Sequence, residues 1–432
     1  MNAKGMSKTE QAWATLFDKH DILREISEKG LFEITAGEIK KLREPRLMAN
    51  FHHRASLPRL FVEHGLNILP LTRGSYVIGA FDAYQSIEHA EGTSVVVKRL
   101  PEGIRSVDPN NLYSESIALN CAFLAGIIDD ILGDRAAHTL SGRMTTGSFE
   151  FSIRSRRGDR TGITVRNAQC EIDGGYESQS KLLLVEAKNV SARDFLVRQL
   201  YYPYRLWEER IKKKIIPAFM IFSNDIFSFF IYEFEERASY NSLRLVTQKK
   251  YAVAAAHIST EDIAQLVEQV QVIKEPKVPF PQADSFERVV DLLNLLVGGD
   301  MSGDEITSNY DFDRRQTDYY TNAGVYLGLI QKRRIGGESV YSISSRGRAI
   351  MLSDRTKKLK GLVATILGHE VFKRASRARL DRGKPVGLSQ IEDIMKSCEI
   401  YNVRSSETYR RRAQTVAKWV EWIVNLPNEW GP

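Results

Sequence analysis

The chain has 432 residues, enough for two to four domains that each bury a hydrophobic core. Its 43% hydrophobic and 27% charged residues are typical of a globular protein and exclude a disordered or fibrous one. A net charge of +7 is consistent with a polyanionic partner such as nucleic acid.

Several classes of protein find no support in the sequence. The first eight residues lack an apolar run, and no later run approaches membrane-spanning length, so we expect no signal peptide and no membrane association. Three widely spaced cysteines argue against structural zinc and favour a reducing, cytoplasmic setting. Neither a Walker-type motif nor Gly-x-Gly-x-x-Gly occurs, which disfavours nucleotide hydrolysis and dinucleotide binding.

Residues 1–100 are predicted to form an N-terminal helix-turn-helix-like DNA-binding domain. Thr35 is placed to cap a helix over 36–42, a second helix is predicted over 57–64, and a hairpin with Arg73-Gly74 at its turn follows. Three basic side chains before the second helix are candidates for DNA contact: Arg43, Arg46 and Arg54.

Residues 101–273 carry the most informative pattern. Residues 114–132 have helical apolar spacing and include Glu115. Asp173 ends an alternating run, a Gly-Gly turn is expected next, and the apolar run 182–185 predicts a buried central strand. Because side chains alternate along a strand, Glu186 and Lys188 should project to the same side.

Two carboxylates beside one ammonium group suit metal-dependent phosphodiester cleavage. The pattern resembles the PD-(D/E)xK nuclease superfamily, and its surroundings resemble a type II restriction endonuclease, with Ile172 where the family name has proline. The resemblance implies an α/β restriction-endonuclease-like core, a mixed sheet flanked by helices. It also implies that Asp173 and Glu186 bind Mg²⁺ and that Lys188 is the catalytic lysine.

The segments after the catalytic strand fit this order. Ser191 is placed to cap a helix that carries Gln199, with Pro203 expected to kink it, and strands over 215–222 and 226–234 should form a hairpin. The resemblance adds Gln199 and Glu115 as catalytic-site candidates. For both residues, a solvated position on a helix is an equally simple interpretation.

A proline-rich connector is predicted over 274–283, followed by a winged helix-turn-helix over 284–352. A helix over 313–329 would read DNA bases, and a basic hairpin would contact phosphates. The DNA-binding candidates are Arg314, Arg315, Gln316, Lys332, Arg333 and Arg334. A protein-interaction or dimerisation module is the alternative.

Residues 353–432 are predicted to form a basic helical DNA-binding domain. Residues 353–418 contain 16 Lys and Arg against 7 Asp and Glu, a concentration that favours phosphate contact, although a solvated face has the same composition. Ser405 or Ser406 should cap a helix bearing three further candidates: Arg410, Arg411 and Arg412.

Together these features predict a sequence-specific, Mg²⁺-dependent double-stranded DNA endonuclease of the type II restriction kind, with mainly α accessory domains. Cutting both strands with one active site per chain favours a homodimer, and a restriction system implies a cognate DNA methyltransferase. A methyl-directed or repair nuclease and a non-catalytic DNA-binding regulator are the alternatives. The recognition sequence, the cut positions and the domain that reads bases stay open.

Overall fold

The computed structural model describes residues 7–88, 93–155, 158–253, 258–309 and 314–427, apart from the side chains of residues 308, 309 and 314. It divides naturally into an N-terminal unit (residues 8–79), a central unit (84–252) and a C-terminal unit (260–426). In the described ranges, no helix has both the length and the apolar character needed to cross a bilayer.

The N-terminal unit packs helices against a small antiparallel sheet of order β1-β3-β2. Thr35 caps the third helix by accepting the Glu38 N–H (3.2 Å), as the sequence predicts. Trp13 and Phe61 meet edge to face at the centre of its core. The elements are α1 Lys8–His20, α2 Ile22–Lys29, β1 Leu31–Thr35, α3 Ala36–Lys40, α4 Pro45–Ala49, α5 Arg59–Glu63, β2 Asn67–Pro70 and β3 Ser75–Gly79.

The central unit is built on a seven-stranded mixed sheet within the described residues, of order β5-β14-β13-β12-β10-β9-β6. Strand β10 is parallel to β12 and antiparallel to β9. The elements are β4 Tyr84–Ser86, β5 Val95–Val97, α6 Glu115–Leu124, α7 Ile127–Leu132, β6 Ala137–Thr145, β7 Ser148–Arg154, β8 Arg160–Arg166, β9 Gln169–Glu177, β10 Lys181–Lys188, β11 Asp194–Leu196, α8 Arg198–Glu208, β12 Lys214–Ser223, β13 Ile226–Phe234 and β14 Leu243–Ala252.

Helices cover both faces of this sheet, which explains the continuous apolar character of β10. Leu183 and Val185 of β10 pack with α6 and α7 on one face. On the other face, α8 packs through Leu200 and Tyr201 against β12 and β13. The prediction of a mixed sheet flanked by helices is therefore confirmed.

Three details differ from the sequence-based expectations. The helix expected over 114–132 is divided at Gly126, which adopts a left-handed conformation (φ 73°). Ser191 does not cap a helix, because residues 194–196 pair as strand β11 with β4 and α8 begins only at Arg198. Gly174 and Gly175 lie within β9 instead of forming the expected turn. Pro203 lies inside α8, in the helix where the sequence places it.

The C-terminal unit contains the helices and the hairpin expected between 284 and 352, with a small antiparallel sheet of order β15-β17-β16. The elements are α9 Thr260–Gln269, α10 Phe286–Gly298, β15 Met301–Ser302, α11 Gly303–Asn309, α12 Arg314–Tyr326, β16 Ile330–Ile335, β17 Glu338–Ile343, α13 Ser345–Met351, α14 Arg355–Leu367, α15 Glu370–Arg382, α16 Leu388–Lys396 and α17 Ser406–Asn425. Ser405 caps α17.

A single hydrophobic core runs through the C-terminal unit and continues across residue 352, where the sequence suggests a boundary. Trp419 of α17 packs on Phe286 of α10 and on Phe372 of α15. The connector contributes Phe280 and Ala283, both fully enclosed. The basic helices and the hairpin segment thus fold as one body.

Candidate active site

Asp173, Glu186 and Lys188 meet where strands β9 and β10 stop pairing. Val185 lies opposite Gly174, so the next residue on each strand is a carboxylate. The Ala187 N–H donates to Oδ2 of Asp173 (2.8 Å), which fixes Asp173 against β10. Ala187 packs into the core on the opposite face from Glu186 and Lys188, as strand alternation predicts.

Gly174 and Gly175 are required by close packing rather than by a turn. A Cβ atom on Gly174 would lie 2.8 Å from the ring of Tyr176, and one on Gly175 would lie 2.6 Å from Leu140. Both contacts are shorter than van der Waals separation. The glycines therefore let β9 continue past Asp173 beside its neighbours.

Hydrogen bonds join the charged groups into one cluster. The Lys188 Nζ donates to Oε1 of Glu186 (2.6 Å) and to the Ala187 carbonyl (2.9 Å). Gln199, in the first turn of α8, donates through Nε2 to the same Oε1. Oε1 of Glu115, the first residue of α6, lies 3.6 Å from Nζ. Gln199 and Glu115 thus both lie at the site, whereas Glu171 is exposed and pairs with Arg143.

Burial and charge set the protonation of this cluster. Burial, with Asp173 and Glu115 nearby, raises the pKa of Glu186 to about 8 despite the adjacent ammonium. Burial also raises the pKa of Glu115. Burial opposes the charged form of Lys188, but Glu186, Glu115 and Asp173 outweigh it and hold the Lys188 pKa above its ordinary value. Lys188 is therefore protonated at neutral pH.

His52 of the N-terminal unit also reaches this site, which sequence reasoning missed. Burial, together with the nearby cations Lys188 and Arg198, lowers the pKa of His52 to about 3, so the imidazole is neutral. Its ring lies beside the Gln199 side chain. The adjacent histidines are visible in the sequence, but no local pattern indicates that this loop packs on β11.

The carboxylate oxygens of the cluster are ligands of the kind that a hard divalent cation prefers. Once all three carboxylates ionise, one ammonium group leaves two negative charges uncompensated, which a divalent ion would neutralise. Within the described ranges, no group of three His, Cys, Asp or Glu side chains is arranged to bind a metal ion by itself. Mg²⁺ commonly uses one or two carboxylates and completes its coordination with water and substrate phosphate, and Asp173 and Glu186 fit that role.

The candidate DNA-binding side chains of the C-terminal unit lie on its surface. Arg315 is exposed and stacks over Tyr319 (5.4 Å), whose hydroxyl it contacts, and Gln316 is half-buried. The side chain of Arg314 lies outside the described residues. On β16, Arg333 bonds to Asp300 (3.1 Å) and has exposed neighbours: Lys332 and Arg334.

Much of the positive charge after residue 353 compensates acidic groups elsewhere in the chain. The enclosed Lys358 pairs with Asp225 of the central unit (2.8 Å). Further pairs of this kind are Lys360 with Asp262, Arg377 with Glu268 and Lys418 with Asp284, and Arg379 pairs with Glu421 inside the segment itself. Arg412 is half-buried and donates to Gln282 (2.7 Å), whereas Arg410 is exposed and Arg411 pairs with Glu407.

In the N-terminal unit, Arg54 contacts the central unit. Its guanidinium lies 3.3 Å from Asp82 and 3.2 Å from the Tyr84 carbonyl. Arg46 is exposed and Arg43 is half-buried. Of these three candidates, Arg54 has a clear structural role.

Three family profiles match successive parts of the chain, and none covers half of it. Each is a domain of unknown function: DUF6996 over residues 10–78, DUF6997 over 79–252 and DUF7226 over 288–428. The first boundary falls at the end of β3, and the central match contains Asp173, Glu186 and Lys188. No curated protein and no solved structure matches the chain.

Proposed function

We propose that this chain is a divalent-metal-dependent DNA endonuclease with a PD-(D/E)xK core, acting as a type II restriction enzyme. The observation that carries the proposal is the convergence of Asp173, Glu186 and Lys188 at the ends of two paired strands, with Gln199 bonded to Glu186. The mixed sheet flanked by helices supports such a core, with β10 as the catalytic strand.

Asp173 and Glu186 would hold Mg²⁺. The ion would polarise the scissile phosphate and lower the pKa of water. Lys188, being protonated, acts as a hydrogen-bond donor to the phosphate or the attacking oxygen rather than as a base. Gln199 fixes the rotamer of Glu186, and Glu115 lies close enough to orient the ammonium group.

The accessory units supply the proposed contacts to double-stranded DNA. The order helix, strand, two helices and hairpin from α10 to β17 is that of a winged helix, in which α12 would enter the major groove. Exposed Arg315, Lys332 and Arg334 support this role. We further propose a homodimer, since one site per chain cuts one strand, and a partner methyltransferase that protects the host sites.

The test is digestion of a fully sequenced, unmethylated plasmid with purified full-length protein and Mg²⁺. We expect discrete fragments whose sequenced ends share one site, and no cleavage with EDTA. Asp173→Ala, Glu186→Ala and Lys188→Ala should each abolish cutting while DNA binding in Ca²⁺ persists, because these groups handle metal and water. Glu171→Ala, on the same strand, is the matched control and should cut normally. Cleavage by Glu186→Ala at the wild-type rate would refute the assignment.

A further inference from the structure

We propose that His52 of the N-terminal unit is a positioning residue of the catalytic centre, which orients Gln199 and through it Glu186. This inference rests on the proposed nuclease function and adds a residue that none of the sequence motifs includes. Its consequence is that the active site is composite, because the central unit alone lacks one of the side chains that shape it.

The loop that carries His52 is firmly attached to the central unit. The Leu196 N–H of β11 donates to the His52 carbonyl (2.9 Å), and the His53 ring contacts the Asp194 carbonyl (2.7 Å). Oδ1 of Asp194 accepts the Arg54 N–H (3.1 Å). These three contacts tie residues 52–54 to β11, which fixes the backbone from which the imidazole projects.

The imidazole reaches the site through Gln199. Gln199 is buried and uses its Nε2 to hold Glu186, which leaves Oε1 as the acceptor for a ring N–H. Gln199 and Lys188 both act on the charge of the His52 ring, so the ring lies close to both side chains. Within the described residues, Oε1 of Gln199 and Nδ1 of His52 are each buried and have no hydrogen-bond partner, and we infer that the two groups satisfy each other.

A neutral imidazole suits this position better than a cation would. Lys188 and Arg198 already supply positive charge around the ring, so a protonated His52 would be repelled. As a neutral donor, His52 fixes which end of the Gln199 amide faces Glu186. Groups that orient a metal ligand in this way typically contribute about tenfold to hundredfold in metal affinity or activity.

The experiment compares full-length wild type with His52→Ala and His52→Gln, and uses His64→Ala, an exposed histidine of the same unit, as the matched control. For each protein we measure kcat and KM for DNA, the Mg²⁺ concentration for half-maximal cleavage, and the rise in melting temperature that Mg²⁺ produces.

For His52→Ala we expect kcat to fall, or the Mg²⁺ midpoint to rise, about tenfold to hundredfold with KM unchanged. His52→Gln, which keeps a hydrogen-bond donor, should recover most of the loss, and His64→Ala should match wild type. Adding His52→Ala to Gln199→Ala should cause little further loss, because His52 acts on Glu186 only through Gln199.

If His52→Ala keeps the wild-type kcat and the wild-type Mg²⁺ concentration for half-maximal cleavage, the proposal is wrong. If wild type binds Mg²⁺ but cuts no DNA, the nuclease function fails, and the Mg²⁺-induced melting shift still decides the role of His52. A smaller shift in His52→Ala then supports the positioning role, and an equal shift overturns it. If wild type neither cuts DNA nor shows a melting shift with Mg²⁺, both proposals fail.

Discussion

At the scale of a single residue, Glu186 occupies a position that is unfavourable for a carboxylate. Its side chain is almost fully buried beside two other carboxylates, and burying a charged group is costly unless it is compensated. Lys188 compensates one charge only. A divalent cation bound beside Glu186 would relieve the remaining cost.

We therefore predict a pH-dependent stability difference between wild type and Glu186→Gln without metal. The folded-state pKa of Glu186, about 8, is above its ordinary value of 4.5, so the folded protein holds this proton more tightly than the unfolded chain. The contribution to stability is present below pH 4.5 and is lost as pH rises toward 8. Glu186→Gln cannot ionise, so its melting temperature should exceed that of wild type increasingly between these values.

The measurement is thermal unfolding in EDTA across this pH range. Glu171→Gln, a change at an exposed glutamate two residues before Asp173, should show no such trend. A difference between Glu186→Gln and wild type that stays constant with pH would contradict the prediction.

The sequence identifies some of these residues and not others for a physical reason. Asp173, Glu186 and Lys188 are recognisable because strand alternation and a local apolar run place them. His52 lies 134 positions before Glu186, and its place depends on a loop packing against β11, which no local pattern encodes.

At the scale of elements, the segment between β10 and α8 is held from both sides. It joins Lys188 to Gln199, and the Arg54 N–H contacts it at Asp194 from the N-terminal unit. From the C-terminal unit, the fully buried Asp291 of α10 accepts the Ser191 N–H (2.9 Å) and the Ser223 hydroxyl (2.8 Å). Both accessory units thus help to fix a segment that carries the candidate site residues Lys188 and Gln199 at its ends.

Asp291→Ala should destabilise the protein and slow cleavage. It leaves the Ser191 N–H and the Ser223 hydroxyl without their acceptor, and each buried unpaired group costs about 1–3 kcal/mol. Asp291→Asn keeps one acceptor oxygen and should lose less. The measurement is the free energy of unfolding in urea, together with the cleavage rate at saturating DNA and Mg²⁺.

Asp300→Ala is the control for this prediction. Asp300 follows α10, and its side chain is 52% exposed beside Arg333, so its removal should change stability by less than about 0.5 kcal/mol. Equal stability of Asp291→Ala and Asp300→Ala would show that Asp291 does not hold the segment.

The elements differ in how far the sequence predicts them. The β12–β13 hairpin was predictable, because Asn224 and Asp225 tolerate the positive φ angles of a tight turn between two apolar runs. Strand β11 was not, since it is short and depends on pairing with β4, more than 100 residues earlier. Ser191 is a good cap by type, but the residues that follow it pair with β4 instead of continuing into a helix.

At the scale of the whole molecule, two units of similar topology flank the central sheet. In each, a short strand precedes helices and a hairpin, and the sheet order is first-third-second: β1-β3-β2 and β15-β17-β16. The C-terminal unit contacts the central unit through Arg355 and Lys358. Arg355 donates a hydrogen bond to the Asn224 carbonyl, and Lys358 donates one to the Asp225 carboxylate. Some basic residues of the segment after residue 353 thus hold the C-terminal unit against the central unit. Fewer basic residues of that segment are therefore free to contact phosphates.

Three arginines of the C-terminal unit differ in exposure and contacts, so we expect their replacement to affect DNA binding in three different ways. Arg410 is exposed on α17, so Arg410→Ala should weaken binding to all sequences alike and reduce the slope of log K against log salt by about one unit. Arg315 lies near the start of α12, so Arg315→Ala should cost about 1–3 kcal/mol on the specific site and relax the choice at one base pair. Arg412 is bonded to Gln282, so Arg412→Ala should lower stability and leave the salt slope unchanged.

Binding of each variant to specific and random duplexes, measured in Ca²⁺ over a salt series, distinguishes these three outcomes. Arg410→Ala and Arg412→Ala are matched, because the two residues lie on the same helix and differ mainly in burial. If Arg315→Ala and Gln316→Ala both keep full discrimination between specific and random DNA, the C-terminal unit does not read the bases. The exposed Arg46 of the N-terminal unit then becomes the next position to test, because that unit has the same first-third-second sheet order as the C-terminal unit.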